Sequence, residues 1–290
     1  MIDFAHITPT AYLDLFATGR PFHLTLAHLV ETDEKYTQWY AQRDISRSLS
    51  PFVNVMDNSA FEMYKQGREM YPSDKLIEMG KKVAADYIVM SDYPGEPAAR
   101  TVDKAIEMAP ELREAGFGTF FVPQSQEGDI QDLVDAFEWA AESEHVDYIG
   151  VSILAVPLAY MAEKDNKLQR FLSRWRFMQE LAEFGILDKI KANNKKLHFL
   201  GMVDGPNEIE LVRPYHDYIT SWDSSAAVWA GCCDIEFDDS PTGLIHGKNE
   251  IEVDFDHHIL DAGRMAKCVG NVNYIDGLVG FKEDIYGHPV

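Results

Sequence analysis

Hydrophobic positions along the chain fall into short, continuous runs that are separated by longer amphipathic stretches. The runs contain seven or eight residues and are rich in β-branched and aromatic side chains, so each is too short to be a helix of its own. We therefore predict that each run forms a buried β-strand. The seven runs are HLTLAHLV (23–30), FVNVMDN (52–58), ADYIVMSD (85–92), GTFFVPQ (118–124), VDYIGVSI (146–153), KLHFLGMV (196–203) and YITSWDS (218–224).

The stretches between these runs have the periodicity of amphipathic helices. Examples are KLIEMGKKVAA (75–85), TVDKAIEMAPELREAG (101–116) and EGDIQDLVDAFEWAAE (127–142). Gly116 ends the second of them and Gly118 follows it, at the place where a glycine is expected to terminate a helix. Continuous apolar strands that alternate strictly with helices are typical of a parallel sheet covered by helices.

A (β/α)8 TIM barrel is the predicted α/β fold. A barrel needs an eighth strand, which is either TGLIHGK (242–248) or a segment of the first twenty residues. The competing open, doubly wound sheet would be expected to show a glycine-rich phosphate loop after an early strand, and none is present. We predict a single domain with the catalytic barrel at 1–235. Residues 236–290 would form a short C-terminal extension packed on the barrel, with a helix at 254–268.

The composition is that of a globular protein, with 46% hydrophobic and 26% charged residues in a chain of 290. No run approaches the roughly 20 apolar residues that cross a bilayer. The first residues lack a basic segment followed by an apolar run, so they do not resemble a signal peptide. Three cysteines cannot build a disulfide framework, and their odd number suits a reducing compartment. We therefore expect a cytoplasmic protein without a membrane partner.

Charge is distributed unevenly along the chain. The net charge of −22 disfavours non-specific attraction to nucleic acids and anionic membranes. Residues 164–196, however, contain nine Lys or Arg against four acidic residues, which gives this segment a net charge of +5. A basic face on an acidic body is compatible with a polyanionic partner. A solvated helix with i,i+4 ion pairs explains the same segment equally well.

Polar side chains follow five of the predicted strands at the point where each strand ends. They are Asp57, Asp92, Gln124, Asp204 and Asp223. In a barrel these side chains converge on the one face where such enzymes place their catalytic groups. A single Asp after a strand is more often a helix N-cap. Four carboxylates and an amide in matching places instead predict a functional site, even if one or two members also cap helices.

Six motifs in the region of residues 50–230 occur in the order and approximate spacing of a known family. They are VNVMDNSAF, ADYIVMSDYPGE with a following helix that begins at Thr101, FFVPQSQ, YIGVSI, LHFLGMVDGP and YITSWDSS. In these motifs the chain resembles the tRNA-guanine transglycosylase (queuine/archaeosine tRNA-ribosyltransferase) superfamily. The resemblance implies a (β/α)8 barrel that exchanges guanine in a polynucleotide for a 7-deazaguanine such as preQ0, preQ1 or an archaeosine precursor.

The resemblance also implies a role for individual residues. Asp223 would be the nucleophile that attacks C1′ of the sugar and forms a covalent glycosyl-enzyme intermediate. Asp57 would be the general acid and base that exchanges a proton with the purine ring nitrogen. Asp92 would accept hydrogen bonds from N1–H and the 2-amino group of the base, and Gln124 would donate to its carbonyl.

Three further residues are predicted to bind substrate by their place in the same motifs. Gly150 would let backbone groups approach the base closely, since it has no side chain. Ser59 and Gly201 would complete the pocket. Asp204 stands where the family usually has glycine, so its role is left open.

The chain departs from the family at its zinc site. The tRNA enzymes carry a Cys-x-Cys-x-x-Cys motif and a distant His after the barrel. Here Cys232 and Cys233 are adjacent, and Cys268 follows much later. Adjacent cysteines rarely bind one metal together, so we predict no metal or other cofactor, with zinc as the alternative. The histidines that would be near such a site are His246, His257, His258 and His288.

The chain is also shorter than the tRNA enzymes and lacks an added RNA-binding domain. In this it is more similar to the 7-deazaguanine DNA transglycosylases of bacteria and phages. The target guanine would then be flipped out of the duplex into the mouth of the barrel. Arg170, Arg174 and Arg176 in the basic segment are the first candidates for phosphate contacts. DNA is therefore favoured over tRNA as the partner, and a homodimer is compatible with this interpretation.

Two other classes of protein remain alternatives. A nucleic-acid-binding homologue or partner subunit could keep the fold and lack the reaction, although the presence of both Asp57 and Asp223 argues against it. A metal-dependent barrel hydrolase would need His-x-His after its first strand, and HLTLAH does not supply it. His23 and His28 in that run are interpreted as histidines of the core or the rim.

Overall fold

Eight parallel strands form the centre of the molecule. A computed structural model describes residues 1–45, 47, 51–203, 205–240, 243 and 254–281 of the chain. The strands are β1 (Asp3–His6), β2 (Phe22–Leu26), β3 (Val53–Asp57), β4 (Tyr87–Val89), β5 (Gly118–Phe121), β6 (Tyr148–Ser152), β7 (Lys196–Leu200) and β8 (Ser221–Ser224).

Helices connect these strands and cover the outside of the sheet. They are α1 (Leu13–Phe16), α2 (Ala27–Thr32), α3 (Glu34–Ile45), α4 (Ala60–Gln66), α5 (Ser73–Lys82), α6 (Ala98–Glu114), α7 (Ile130–Glu142), α8 (Ala155–Ala159), α9 (Lys167–Glu183), α10 (Ile186–Ala192), α11 (Asn207–Leu211), α12 (Ala226–Cys232) and α13 (Ala262–Val279). The helix predicted to begin at Thr101 begins at Ala98 instead. None of the helices described is both long enough and apolar enough to cross a bilayer.

The strands follow one another around a nearly closed barrel. All hydrogen-bonded neighbours are parallel, in the order β1-β8-β7-β6-β5-β4-β3-β2, and β1 and β2 at the two ends of this order lie against each other. The predicted (β/α)8 barrel is therefore confirmed. The eighth strand is β1, from the first twenty residues. The rival segment 242–248 lies outside the described residues except for Gly243.

Both surfaces of the sheet are buried, which explains why the strands were visible as continuous apolar runs. One cluster fills the barrel interior and includes Phe22, Val55 and Phe120. A larger cluster packs the outward strand residues against the helices. The run 23–30 is only partly a strand, because its last four residues begin α2. An apolar run alone does not distinguish a buried strand from a buried helix.

The C-terminal helix lies further along the chain than predicted. It is α13, not a helix at 254–268, because Asp261 caps its N-terminus by accepting from the Arg264 N–H at 2.9 Å. The helix ends at Gly280, whose φ of 82° suits a residue without a side chain. It packs on α12 and β1, and the Ile2 N–H donates to the Val279 carbonyl at 3.1 Å. The extension is thus joined directly to the barrel.

A buried ionic cluster fastens α13 to the start of the chain. The Arg20 guanidinium donates to both carboxylate oxygens of Asp276, at 2.8 and 2.7 Å, and His6 Nε2 lies 3.0 Å from Oδ1. Burial alone would raise the pKa of Asp276, but the neighbouring His6 and Arg20 outweigh it and hold that pKa below its usual value. Burial lowers the pKa of His6, so Arg20 supplies the balancing charge at neutral pH.

Replacing Asp276 with Ala should lower the free energy of unfolding by ~3–5 kcal/mol, because Arg20 is then buried without a counter-charge. Urea denaturation followed by circular dichroism measures this difference. Glu78→Ala is the control, since it breaks only an exposed ion pair with Lys82 and should leave stability almost unchanged. Equal stability of the two variants would contradict the role of Asp276.

Candidate active site

A cavity of about 480 Å³ opens at the carboxyl ends of the strands. This is the face of a (β/α)8 barrel that carries active sites, and the volume is within the range of small-ligand sites. Apolar side chains at the strand ends, among them Leu24, Val89, Val122 and Leu200, line part of the cavity. Phe61, about half exposed, lies on its wall.

The structure brings four of the five predicted strand-end polar residues to this one cavity. They are Asp57, Asp92, Gln124 and Asp223, and Gly201 lines the same space. Asp204 lies outside the described residues. No helix N-terminus is capped by Asp92 or Asp223 in the part of the chain that is described, so capping does not explain their position.

Asp92 is held by two side-chain amides. Asn58 Nδ2 donates to its Oδ1 at 2.8 Å and also to the Met90 carbonyl, and Gln124 Nε2 donates to its Oδ2. Burial raises the pKa of Asp92 to about 6, and the two amide hydrogen bonds oppose this rise. Above that pH the side chain is a fixed hydrogen-bond acceptor. Gln124 uses one amide hydrogen on Asp92, so a ligand carbonyl would have to use the other.

The surroundings of Asp57 favour the protonated form of its carboxyl group. Its Oδ1 accepts the Ser59 N–H at 2.6 Å. The cavity leaves part of the residue accessible, yet the surrounding protein removes most of the water from the carboxyl group. This burial, with the nearby carboxylates of Glu62, Asp92 and Asp223, raises the pKa of Asp57 well above its ordinary value. A protonated Asp57 can donate a proton to a bound molecule.

Asp223 has a different environment from the other two acids. Its Oδ1 lies 2.9 Å from His198 Nε2 and accepts the Gly201 N–H at 3.3 Å. The second oxygen, Oδ2, has no hydrogen-bond donor within the described ranges. The residue lines the cavity and keeps only 7% of its surface exposed. One oxygen is therefore held in place while the other is available for a ligand.

His198 and Asn58 are site residues that the sequence reasoning missed. His198 stands between Leu197 and Phe199 in an apolar run, so it resembled a core residue. Because side chains alternate along a strand, the His198 side chain instead points into the barrel interior, where its Nδ1 lies 2.8 Å from Ser221 Oγ. One signal could have identified His198. It is a polar residue at a strand position whose side chain points into the barrel interior. Asn58 follows Asp57 directly and had no independent signal.

Two predicted substrate-binding residues do not reach the cavity. Ser59 is fully buried, accepts the His28 N–H at 3.1 Å, and lies with its Oγ 2.9 Å from His28 Nδ1. It orients Asp57 through its own N–H and does not face a ligand. Gly150 lies within β6, where an added Cβ would stand 2.8 Å from both Leu200 and Phe120. It makes room for side chains below the cavity, so both predictions are corrected.

Arg174 is not available to a phosphate, which corrects a further prediction. It is fully buried and donates to the Gly201 carbonyl at 3.0 Å and the Val151 carbonyl at 3.1 Å. It also forms an ion pair with Glu208 at 3.2 Å. Burial lowers the pKa of Arg174, and the charges of Glu208 and Asp223 oppose this. The residue joins β6 to the loop after β7.

Other cations of the basic segment differ in whether they have an acidic partner. Arg176 is exposed and pairs with Glu180 at 3.2 Å, and Lys189 pairs with Glu138 and Glu142. These residues match the interpretation of a solvated helix with ion pairs. Arg170 differs, because it lines the cavity and no acidic partner is present among the described residues.

The cysteines do not provide a zinc site in the part of the chain that is described. Cys232, Cys233 and Cys268 are buried and are not joined in disulfides, and Cys268 Sγ donates to the Val228 carbonyl at 3.4 Å. No three His, Cys, Asp or Glu residues among those described are grouped so as to hold a metal ion. The residues present do not fit the family's zinc, and we assign no step to a metal. His246 and His288 lie outside the described residues.

Comparison with models of known protein families and with curated proteins gives no match to this chain.

Replacing Asn58 with Leu should raise the pKa of Asp92 further above its ordinary value, by about one unit or more, because the lost N–H stabilises the ionised form. Carbon-13 NMR titration of the carboxyl groups, assigned with Asp92→Asn, measures it. Asn193→Ala is the control, since that side chain donates to the distant Ala141 carbonyl. An unchanged or lower pKa would contradict the assigned hydrogen bond.

Proposed function

We propose that this cavity exchanges guanine in a polynucleotide for a 7-deazaguanine such as preQ0, with DNA favoured over tRNA as the cytoplasmic substrate. The observation that carries the proposal is the contrast between two acids in one cavity. Asp223 has one oxygen bonded and one available, whereas the pKa of Asp57 is raised well above its ordinary value. A nucleophile and a proton donor are the two groups that a double displacement at a sugar needs.

In the first step Asp223 Oδ2 attacks C1′ and the bond to guanine breaks. Asp57 gives its proton to the ring nitrogen of the departing base. In the second step the incoming deazaguanine loses its ring N–H proton to the Asp57 carboxylate and attacks C1′. The ester bond to Asp223 then breaks and the carboxylate is restored. Two displacements retain the configuration at C1′.

The cluster around Asp92 supports recognition of the base. An ionised Asp92 can accept hydrogen bonds from N1–H and the 2-amino group, which are present on both the outgoing and the incoming base. Asn58 and Gln124 fix both of its oxygens, so this acceptor is preorganised. Its pKa of about 6 keeps it ionised at neutral pH.

Arg170 supports a nucleic-acid substrate. It is the cation from the basic segment that lines the cavity, where the phosphate of a flipped nucleotide would lie. The overall charge of −22 means that a local cation has to overcome general repulsion. An inactive homologue would have no need for the arrangement of Asp57 and Asp223. A metal-dependent hydrolase would need a ligand cluster, which the described residues do not form.

Incubation with preQ0 and either duplex DNA or tRNA should yield a deazaguanine nucleoside after digestion, detected by mass spectrometry. A deoxyribonucleoside is the expected product, and EDTA should leave the yield unchanged. Asp223→Asn should abolish exchange, because an amide is not a competent nucleophile. No product from either polymer with several deazapurines would sink the proposal and favour an inactive homologue.

Arg170→Ala should raise KM for DNA and leave kcat nearly unchanged, because the guanidinium contacts phosphate and not the reacting atoms. The slope of log affinity against log salt concentration should fall by ~0.9, as expected for one lost phosphate contact. Binding titrations at several salt concentrations measure it. Arg176→Ala is the matched control, since Arg176 is ion-paired with Glu180, and equal effects of both variants would contradict the prediction.

A further inference from the structure

His198 lies at the centre of a hydrogen-bonded chain that ends at the cavity. Its Nδ1 is 2.8 Å from Ser221 Oγ, and its Nε2 is 2.9 Å from Asp223 Oδ1. The register places β7 beside β8 so that His198 faces Ser221. The imidazole is fully buried, and the centroids of the Phe22 and Phe120 rings each lie 5.4 Å from the centroid of the imidazole. Both ring nitrogens therefore have a hydrogen-bond partner, and aromatic rings pack against the imidazole.

The order of the three groups is the reverse of a serine hydrolase. In such an enzyme the serine faces the substrate and the aspartate is buried behind the histidine. Here Ser221 is fully buried, with the Tyr148 phenol beside it, and does not line the cavity. Asp223 does line it. The group that faces the cavity at the end of this hydrogen-bonded chain is therefore a carboxylate, not a hydroxyl.

We propose that His198 is a positioning residue for Asp223, an inference that rests on the proposed function. The Ser221 hydroxyl donates to Nδ1, which leaves the proton on Nε2. That N–H donates to Asp223 Oδ1 and, with the Gly201 N–H, orients Oδ2 toward the sugar.

The same hydrogen bond serves the second displacement. In the glycosyl-enzyme the Oδ2 atom is esterified and Oδ1 is a carbonyl oxygen. When the ester bond breaks, negative charge returns to the carboxylate, and the Nε2–H bond to it becomes a charge-assisted one. His198 gains and loses no proton in either step.

His198→Met and His198→Gln test the proposal, because both have similar volume and only glutamine keeps an N–H near the position of Nε2. His198→Met should lower kcat by ~10- to 100-fold, the size expected for a lost hydrogen bond to a charged group. KM for preQ0 should stay unchanged, since Asp92 and Gln124 bind the base. His198→Gln should recover most of the lost kcat.

A methionine variant that folds and keeps full kcat would overturn the proposal. So would a glutamine variant that loses as much kcat as the methionine variant, because burial rather than the donor would then be what matters. Circular dichroism and a thermal melt of each variant establish that it is folded.

The tautomer in the unliganded wild-type protein is a second, independent measurement. Long-range nitrogen-15 NMR spectra, with the His198 ring signals assigned by through-bond correlation to its own backbone, should show a proton on Nε2 and none on Nδ1 at pH 7. A proton on Nδ1 would overturn the proposal even if both variants fail to fold. If wild-type protein shows no base exchange, the proposed function fails, and this spectrum still decides whether His198 orients Asp223.

Discussion

The candidate site depends on one guanidinium buried beneath it. Arg174 binds the carbonyls of Val151 in β6 and Gly201 after β7, and Glu208 balances its charge. Burying such a charge is expensive unless it has hydrogen-bond and ion-pair partners, and these three contacts provide them at both terminal nitrogens of the guanidinium. The Trp222 indole N–H donates to the same Gly201 carbonyl at 2.8 Å. Both donors hold the Gly201 carbonyl, and the N–H of the same residue, which belongs to the preceding peptide group, donates to Asp223 at 3.3 Å. Contacts made below the cavity therefore help to position a donor within it.

Three aspartates share the cavity with Glu62, and their neighbours give the three different properties. Asp92 has two amide donors, Asp223 has an imidazole and a backbone N–H, and Asp57 has a single backbone N–H. The group with the least hydrogen bonding and the most acidic surroundings has its pKa raised well above the ordinary value, and it is the proton donor in the proposed reaction. In that proposal, environment and not residue type distinguishes the acid, the nucleophile and the acceptor.

Local sequence pattern was sufficient for the barrel and for the residues that end its strands. Strands buried on both sides leave continuous apolar runs, and a parallel sheet brings their ends to one edge, so Asp57, Asp92 and Asp223 could be placed together. Residues that depend on distant partners could not be placed. Arg174 was predicted to contact phosphate, and its burial could not be foreseen because the carbonyls it binds belong to other elements. His198 lies in an apolar run, and only the register between β7 and β8 places it beside Asp223.

Asp276, on the last helix described, contacts residues in or near the two strands at which the barrel closes. β1 and β2 are the two ends of the sheet order, and His6 ends β1 while Arg20 precedes β2. Asp276 on α13 binds both and therefore spans the seam between them. During synthesis the first two strands leave the ribosome long before this carboxylate exists. This contact across the seam can form only after residue 276 has been synthesised, so a chain that stops before α13 lacks it.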